Sequence, residues 1–428
     1  MTTRRRFLST AALAAPLAAP LAGCAPGALS SPAASASARV TGRPSADALR
    51  AAADAPVLRR DRLPSDPVTV ESVELLRNGE NWTVRVRAAD GAEGVAVGNG
   101  RVLREAYPIL LQRVVPVVVG TDARDWEATL WAIYTAQSSY KWQGLPFWVS
   151  VASVEMAVLD LLGHAAGRPL PDLLWDGQVR DAVAVYQASS HRWNAPEEEV
   201  EWFRERVEAL GAEAVKFRLG GRMMYNDESD ARDAALIPMM REAFPDLTLY
   251  ADANGSFDVA RAVEVGRRME DHGYAFYEEP VPFDHYAETR AVAEALDVRV
   301  AGGEQESSER QFLQMVEDGT LDLVQPDLLY FGGLVRSVRV ARAARAAGLD
   351  CTAHISGYGT GFLYAVHFAA VVPNAGPYQE YKGFDEGVPV EGVGSSLVPE
   401  GGAIAVPTGP GLGVALDPAW LAASERVA

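Results

Sequence analysis

Three regimes of apolar spacing divide the chain. Between Val68 and about Gly100, apolar and polar positions alternate, loosely at Val70, Val73 and Leu75 and strictly through Trp82-Thr83-Val84-Arg85-Val86-Arg87. A period of two puts alternate side chains on opposite faces of a strand, so this stretch predicts a meander with Arg77-Asn78-Gly79-Glu80-Asn81 as a turn. From Arg101 to Leu174 the spacing becomes helical, most clearly at Val151, Val154, Met156, Val158, Leu159, Leu161 and Leu162. Strands followed by a block of helices predict an α+β domain over residues 67–180. After Arg180 short apolar runs alternate with helical stretches. The runs are Ala182–Tyr186, Ala214–Arg218, Leu247–Asp252, Ala275–Glu278, Arg299–Ala301, Leu321–Asp327, Asp350–His354 and Pro377–Glu380. Eight strands alternating with helices over roughly 200 residues predict an α/β barrel of parallel strands rather than an open sheet. This second domain spans residues 181–388.

The amino-terminal residues follow none of these patterns. Arg4-Arg5-Arg6-Phe7-Leu8 precedes an apolar run from Ala11 to Ala22, a charged region and core that fit a twin-arginine export signal over residues 1–23. Pro16 and Pro20 interrupt the run, and it is shorter than the roughly 20 residues of a spanning helix. Leu21-Ala22-Gly23-Cys24 resembles a lipoprotein box, which predicts lipidation of Cys24 and an extracytoplasmic, membrane-anchored protein. Residues 24–66 are rich in Ala, Ser, Pro and Gly and predict a flexible linker, with a short helical stretch near Ala46 to Ala53.

Composition narrows the function. Of 428 residues, 48% are hydrophobic and 22% charged, as in a soluble globular enzyme. The formal charge of −18 argues against nucleic acid, whose binding needs a basic surface. Two cysteines, Cys24 and Cys351, cannot build a disulfide scaffold, and Cys351 reads as a buried strand thiol.

The strand ends carry the chemistry. Asp252, Glu278, Glu304, Asp327, His354 and Glu380 are separated by 26, 26, 23, 27 and 26 residues, about one strand–helix unit each. In a barrel, the carboxyl ends of all strands face one mouth, where active sites are built. Asp252, Glu278 and Glu304 come from three successive strands. Three packed carboxylates repel one another unless a divalent cation neutralises them, and oxygen-only ligation suits Mg²⁺, with Mn²⁺ as a substitute. Asp327 and His354 are placed to form a carboxylate–imidazole pair, which makes His354 a candidate general base.

Those residues sit in Val215-Lys216-Phe217-Arg218, Tyr250-Ala251-Asp252-Ala253-Asn254-Gly255, Tyr277-Glu278-Glu279-Pro280, Gly302-Gly303-Glu304, Gln325-Pro326-Asp327, Ala353-His354 and Gln379-Glu380-Tyr381. In this order, from Val68 to the carboxyl terminus, the chain resembles the mandelate racemase-like group of the enolase superfamily. The resemblance implies a modified barrel, (β/α)7β, capped by the α+β domain, with residues 389–428 returning to the cap. It implies Asp252, Glu278 and Glu304 as Mg²⁺ ligands and Asp327–His354 as the catalytic dyad. It also implies a protonated Glu380 and Lys216 at the substrate carboxylate, with Glu279 behind the ligands. Homo-oligomers are usual in the family.

One departure matters. The second strand of the family commonly ends Lys-x-Lys, with the last lysine a base, whereas this chain has Lys216-Phe217-Arg218. Arginine does not deprotonate in proteins, so two-base racemisation loses a partner, and Arg218 is left to bind a carboxylate or hydroxyl, or to pair within the barrel. The leading expectation is Mg²⁺-dependent dehydration of a sugar acid to a 2-keto-3-deoxy acid by one-base chemistry, in which His354 removes the α-proton and the resulting imidazolium protonates the departing β-hydroxyl. The alternatives are racemisation or epimerisation of a 2-hydroxy acid, with Tyr186 or Lys216 as second base, and a surface lipoprotein that binds a sugar acid without turning it over. Tyr330, Tyr358 and Lys382 lie near the expected mouth, and Trp82 is either a pocket residue or an exposed strand tryptophan.

Overall fold

The computed structural model describes residues 43–175, 177–223, 229–356, 360–383 and 388–427. The expected export signal, Cys24 and Tyr358 lie outside these described residues. The chain begins with α1 (Ala46–Ala53) and then builds an antiparallel sheet from β1 (Val70–Asn78), β2 (Asn81–Ala88) and β3 (Glu93–Gly98). Helices α2 (Gly100–Ile109), α3 (Val115–Val118), α4 (Trp126–Thr135) and α5 (Leu145–Ala166) follow. The alternation in β2 is a burial alternation: Val84 and Val86 are buried, while Arg85 and Arg87 are more open. Its apolar face meets α5, and at Gly94 the contact is so close that a Cβ would lie 2.1 Å from the Ala157 carbonyl. By length and composition α5 could cross a membrane, but 89% of its apolar window is buried inside the protein, as in a soluble core helix.

The barrel follows as β4 (Ala182–Ala188), α6 (Pro196–Leu210), β5 (Ala214–Arg218), α7 (Asp230–Ala243), β6 (Thr248–Asp252), α8 (Val259–Asp271), β7 (Phe276–Glu278) and α9 (Tyr286–Ala295). It continues with β8 (Arg299–Gly302), α10 (Glu309–Asp318), β9 (Leu323–Val324), α11 (Leu334–Ala346), β10 (Asp350–Cys351), α12 (Thr360–Val371) and β11 (Gln379–Tyr381). All neighbours from β4 to β10 are parallel, and β11 pairs back onto β4 through Glu380 and Tyr186. Eight strands with seven following helices are the (β/α)7β barrel. An aromatic layer of Tyr186, Tyr250, Phe276 and Tyr378 fills its interior, with the Tyr250 and Phe276 rings stacked at 3.9 Å. Two residues further along the same strands, on the same side, stand Asp252, Glu278 and Glu380. The apolar layer is therefore the floor beneath the polar mouth.

The closing segment holds β12 (Val390–Gly392), β13 (Ala403–Ala405), β14 (Val414–Leu416), α13 (Pro418–Ala422) and β15 (Glu425–Arg426). It runs antiparallel to β4 through β13, then reaches the first sheet, where β15 pairs with β1.

The expected flexible linker over residues 24–66 is corrected in its second half. From Arg43 onward this stretch is packed: Leu49 and Ala53, one helical turn apart on α1, are fully buried, and α1 rests on α10 and α11. Arg43 Nη1 donates to the Val316 carbonyl at 2.6 Å, and the Val57 and Leu58 amides both donate to Glu127 Oε1 at 2.9 Å. An Ala- and Pro-rich composition hid five residues, Leu49, Ala53, Val57, Leu58 and Leu63, whose spacing suffices to bury one side of the segment.

Candidate active site

Strand register assembles the acids. Arg218 pairs with Asp252 and Asp252 with Glu278, so three successive strands end level with one another. Glu304 stands two residues beyond β8, after Gly303, whose φ of +106° and the Phe312 ring 2.6 Å from a notional Cβ together require glycine there. One carboxylate oxygen from each of Asp252, Glu278 and Glu304 lies within 4.8 Å of the other two, and all three residues are buried. Neighbouring donors hold Glu278 and Asp252 in place. Glu278 Oε2 accepts from Lys216 Nζ at 2.5 Å and Gln325 Nε2 at 2.9 Å, while its Oε1 is buried with no hydrogen-bond partner. Asp252 Oδ1 accepts from the Asn254 amide at 2.7 Å, and its Oδ2 lies against Arg218 Nη1. A buried, partly unsatisfied set of hard oxygens that mutually repel fits a divalent cation such as Mg²⁺. Burial, then the charges of Glu304 and Glu278, push neighbouring Glu279, behind the cluster, well above the usual carboxylate range.

The dyad faces this cluster. His354 Nδ1 lies 2.7 Å from Asp327 Oδ2, and an isolated parallel bridge between the two residues extends the β9–β10 pairing up to the mouth. Asp327 Oδ1 accepts the Leu329 and Tyr330 amides at 2.8 Å and the Ser356 hydroxyl at 3.1 Å, so the carboxylate cannot rotate freely. With Nδ1–H committed to Asp327, Nε2 is the atom that gains or loses a proton. It lies 3.1 Å from Glu304 Oε2 and 3.6 Å from Glu380 Oε2. Burial alone would lower the imidazole pKa, but Glu304, Glu380 and the bond to Asp327 outweigh it and hold the pKa above the ordinary value. The cap reaches this point too: Asn99 Nδ2 donates to Ser356 O at 3.0 Å and Oγ at 3.1 Å.

The cations are shared among these carboxylates. Lys216 is fully buried between Glu278 and Glu380, with Nζ 3.1 Å from Glu380 Oε1 and lying above the Tyr186 ring. Arg218, 4% exposed, spends its guanidinium on Asp252, on Asn254 Oδ1 at 3.2 Å and on the Ser189 carbonyl at 3.0 Å. It pairs within the barrel and fixes Asp252. Burial would raise the Glu380 pKa, yet Lys216, Lys382, His354 and Arg218 outweigh burial and hold it well below the usual carboxylate range. Tyr186 is a poor second base, because burial and then Glu380 drive its phenol well above the ordinary value. Trp82 is no mouth residue: it is 3% exposed and stacked on Tyr107 inside the cap. Tyr330 is half-buried, and its amide helps hold Asp327.

Sequence reasoning quoted Asn254 and Gln325 without giving them work, and missed Asn99, Ser189 and Ser356. Asn99 had one readable signal, its place at the start of α2, where its side chain accepts the Val102 amide.

Comparison with known proteins agrees with this geometry. Residues 57–175 match the mandelate racemase/muconate lactonizing enzyme N-terminal domain, and residues 198–420 match the family described as enolase C-terminal domain-like. The D-gluconate dehydratase of Thermoproteus tenax is 27% identical over 370 residues, covering 82% of this chain and 71% of that protein. The D-galactarolactone cycloisomerase of Agrobacterium fabrum is 29% identical over 357 residues, covering 78% and 88%. A crystal structure of a mandelate racemase/muconate lactonizing protein from Paracoccus denitrificans, complexed with magnesium, superposes with a TM-score of 0.76 at 27% identity, covering 84% of this chain and 98% of that one. The chain is an enzyme that belongs to the enolase superfamily, in its mandelate racemase-like group.

Proposed function

We propose that this enzyme dehydrates a sugar acid to a 2-keto-3-deoxy acid. Asp252, Glu278 and Glu304 would hold one Mg²⁺, and Mn²⁺ would substitute. The observation that carries the reading is a single imidazole, His354, oriented by Asp327 and facing that carboxylate cluster, with no free base opposite it among the described residues at the end of β5. The names of relatives that dehydrate D-gluconate and isomerise D-galactarolactone support a polyhydroxylated acid as substrate.

A hydrogen α to a carboxylate is a very weak acid, and its removal turns a monoanion into a dianion. When bound, the cation would supply Lewis-acid neutralisation of the carboxylate oxygens. His354 Nε2 would take the α-proton, and Lys216 would add fixed positive charge beside the nascent enediolate. Arg218 would keep Asp252 in position rather than accept a proton. Collapse of the enediolate would break the β-carbon–oxygen bond, and the resulting enol would ketonise. The hydroxyl needs a proton to leave as water.

The test is incubation of the purified protein with Mg²⁺ and single sugar acids in D₂O, followed by proton NMR. Loss of the α-proton signal together with a new 3-deoxy methylene, both absent in His354→Asn, is the expected result. Deuterium entering an otherwise unchanged skeleton would replace dehydration by racemisation or epimerisation.

A further inference from the structure

Among the cations of the mouth, Lys382 differs from its neighbours in what its donors do. An ammonium offers three N–H donors and no acceptor. Lys216 is fully enclosed and divided between two carboxylates, and Arg218 is tied to Asp252, Asn254 and Ser189. Lys382 Nζ makes two contacts, at 2.8 Å to the Ile355 carbonyl and at 3.2 Å to Glu380 Oε2, and its side chain is 10% exposed. Among the described residues its third donor has no partner.

Its placement is as informative as its spare donor. Ile355 directly follows His354, so the bond to its carbonyl pins the lysine to the backbone of the β10 end. The oxygen it shares, Glu380 Oε2, also lies 3.6 Å from His354 Nε2 and accepts the Ile355 amide at 3.2 Å. Two proton carriers, an imidazole and an ammonium, thus flank one carboxylate oxygen on the same side of the mouth. Among the described residues, the two cations of β5, Lys216 and Arg218, are committed to other partners.

We infer that Lys382 is the general acid that delivers the proton to the departing β-hydroxyl, a role that rests on the dehydratase reading above. His354 Nε2 takes the α-proton, and the C–H electron pair becomes the enediolate double bond. As that pair moves to form the α,β double bond, the β-carbon–oxygen bond breaks. Lys382 Nζ–H supplies the proton that turns the leaving oxygen into water. The imidazolium and the neutral amine that remain are reset by net transfer of one proton from His354 to Lys382, for which Glu380 Oε2 lies between them. The enol then ketonises, and no oxidant or reductant is needed.

Two variants and two substrates test this. With a sugar acid that wild type dehydrates, Lys382→Met is expected to lose dehydration on the order of 10²-fold or more, as removal of a general acid does, while still exchanging the α-proton with D₂O. Lys382→Arg keeps the charge and the donors but cannot release a proton, so it is expected to fail in the same way. The 3-deoxy-3-fluoro analogue, whose fluoride leaves without protonation, is expected to be eliminated by both variants within a few-fold of wild type. Circular dichroism and unfolding midpoints establish that each variant is folded. Unimpaired dehydration by Lys382→Met would overturn the role. So would full activity of Lys382→Arg, which would reduce Lys382 to a fixed charge. Loss of exchange and of fluoride elimination together in a folded variant would mark a residue that positions His354 and would also overturn it. Wild type that exchanges the α-proton of every sugar acid but never releases water would overturn the dehydratase reading itself, and this role with it.

Discussion

Two groups of buried carboxylates in this protein, on α5 and at the barrel mouth, are treated in opposite ways. On α5 in the cap, Glu155 and Asp160 have their oxygens capped by donors. Glu155 Oε2 accepts the Trp126 indole N–H at 2.6 Å and Oε1 the Val335 amide at 3.0 Å, while Asp160 accepts the Val95 amide at 2.8 Å and the Leu412 amide at 2.7 Å. Neither touches a lysine. Burial pushes Glu155 up to about 7 and Asp160 up to about 6. At the barrel mouth the acids are held beside Lys216, Arg218 and Lys382, and oxygens of three of them converge on one point. A buried acid whose donors close around it is a fastener: Glu155 ties α5 to the start of α11, and Asp160 ties it to β3 and to the closing segment. A buried acid with an oxygen left over, aimed at other such oxygens, is a site.

The sharpest way to break this distinction is to remove one acid from each group. Glu304→Gln is expected to reduce turnover by about 10³-fold or more, because it touches both the cation cluster and His354. In chelator it should raise the thermal midpoint, since one of three repelling charges is gone. A lowered midpoint would make Glu304 a structural acid. The next largest effect is on Glu155→Ala, which strands the Trp126 indole and the Val335 amide in the core. It is expected to cost about 3 kcal/mol in urea unfolding while leaving turnover per folded molecule within a few-fold of wild type.

A third buried group sharpens the contrast through pH. His367 on α12 is fully buried, with Nε2 2.9 Å from the Leu412 carbonyl, and burial lowers its pKa to about 4. Its unfolded value is near 6.5, so the unfolded state binds the proton first as pH falls. The stability associated with neutral His367 is complete above pH 6.5 and is lost progressively down to about pH 4, by about 3 kcal/mol. Urea midpoints measured between pH 7 and 4 should fall less steeply for His367→Gln than for wild type, and parallel curves would refute the assignment. The smallest effect belongs to the exposed pair of Arg77 and Glu425, 2.8 Å apart between β1 and β15. Glu425→Ala is expected to change stability by no more than about 0.5 kcal/mol, and less in high salt.

What was legible in the chain follows from this contrast. Asp252, Glu278, Glu304, Asp327, His354 and Glu380 recur at the interval of one strand–helix unit, and parallel pairing turns that interval into proximity at the mouth. The floor went unread, although Tyr250 and Phe276 precede Asp252 and Glu278 by one strand repeat. Charge state was not legible. Glu380 occupies the expected position, yet its ionisation depends on Lys216 and Lys382, whose distances exist only once the barrel closes. Nor could the spacing reveal that Leu49 and Ala53 would find α10 and α11, because docking depends on the partner's face as much as on the helix's own. Glu155 and Asp160 show up in the sequence only as acids in an apolar helix. Their donors come from Trp126, Val335, Val95 and Leu412, which are far apart along the chain.

The pairing of β1 with β15 has a consequence for how the protein comes into being. Arg77 and Glu425 lie 348 residues apart, and at typical synthesis rates of about 5–20 residues per second the first strand waits tens of seconds for its neighbour to be made. Until then one edge of the first sheet is an open template for other chains. The barrel can begin to collapse on the ribosome, but the lid over its mouth is finished only after the end of the chain is released. A nascent chain stalled short of Glu425 would carry Asp252, Glu278, Glu304, Asp327, His354 and Glu380 beside a first sheet still missing one edge strand.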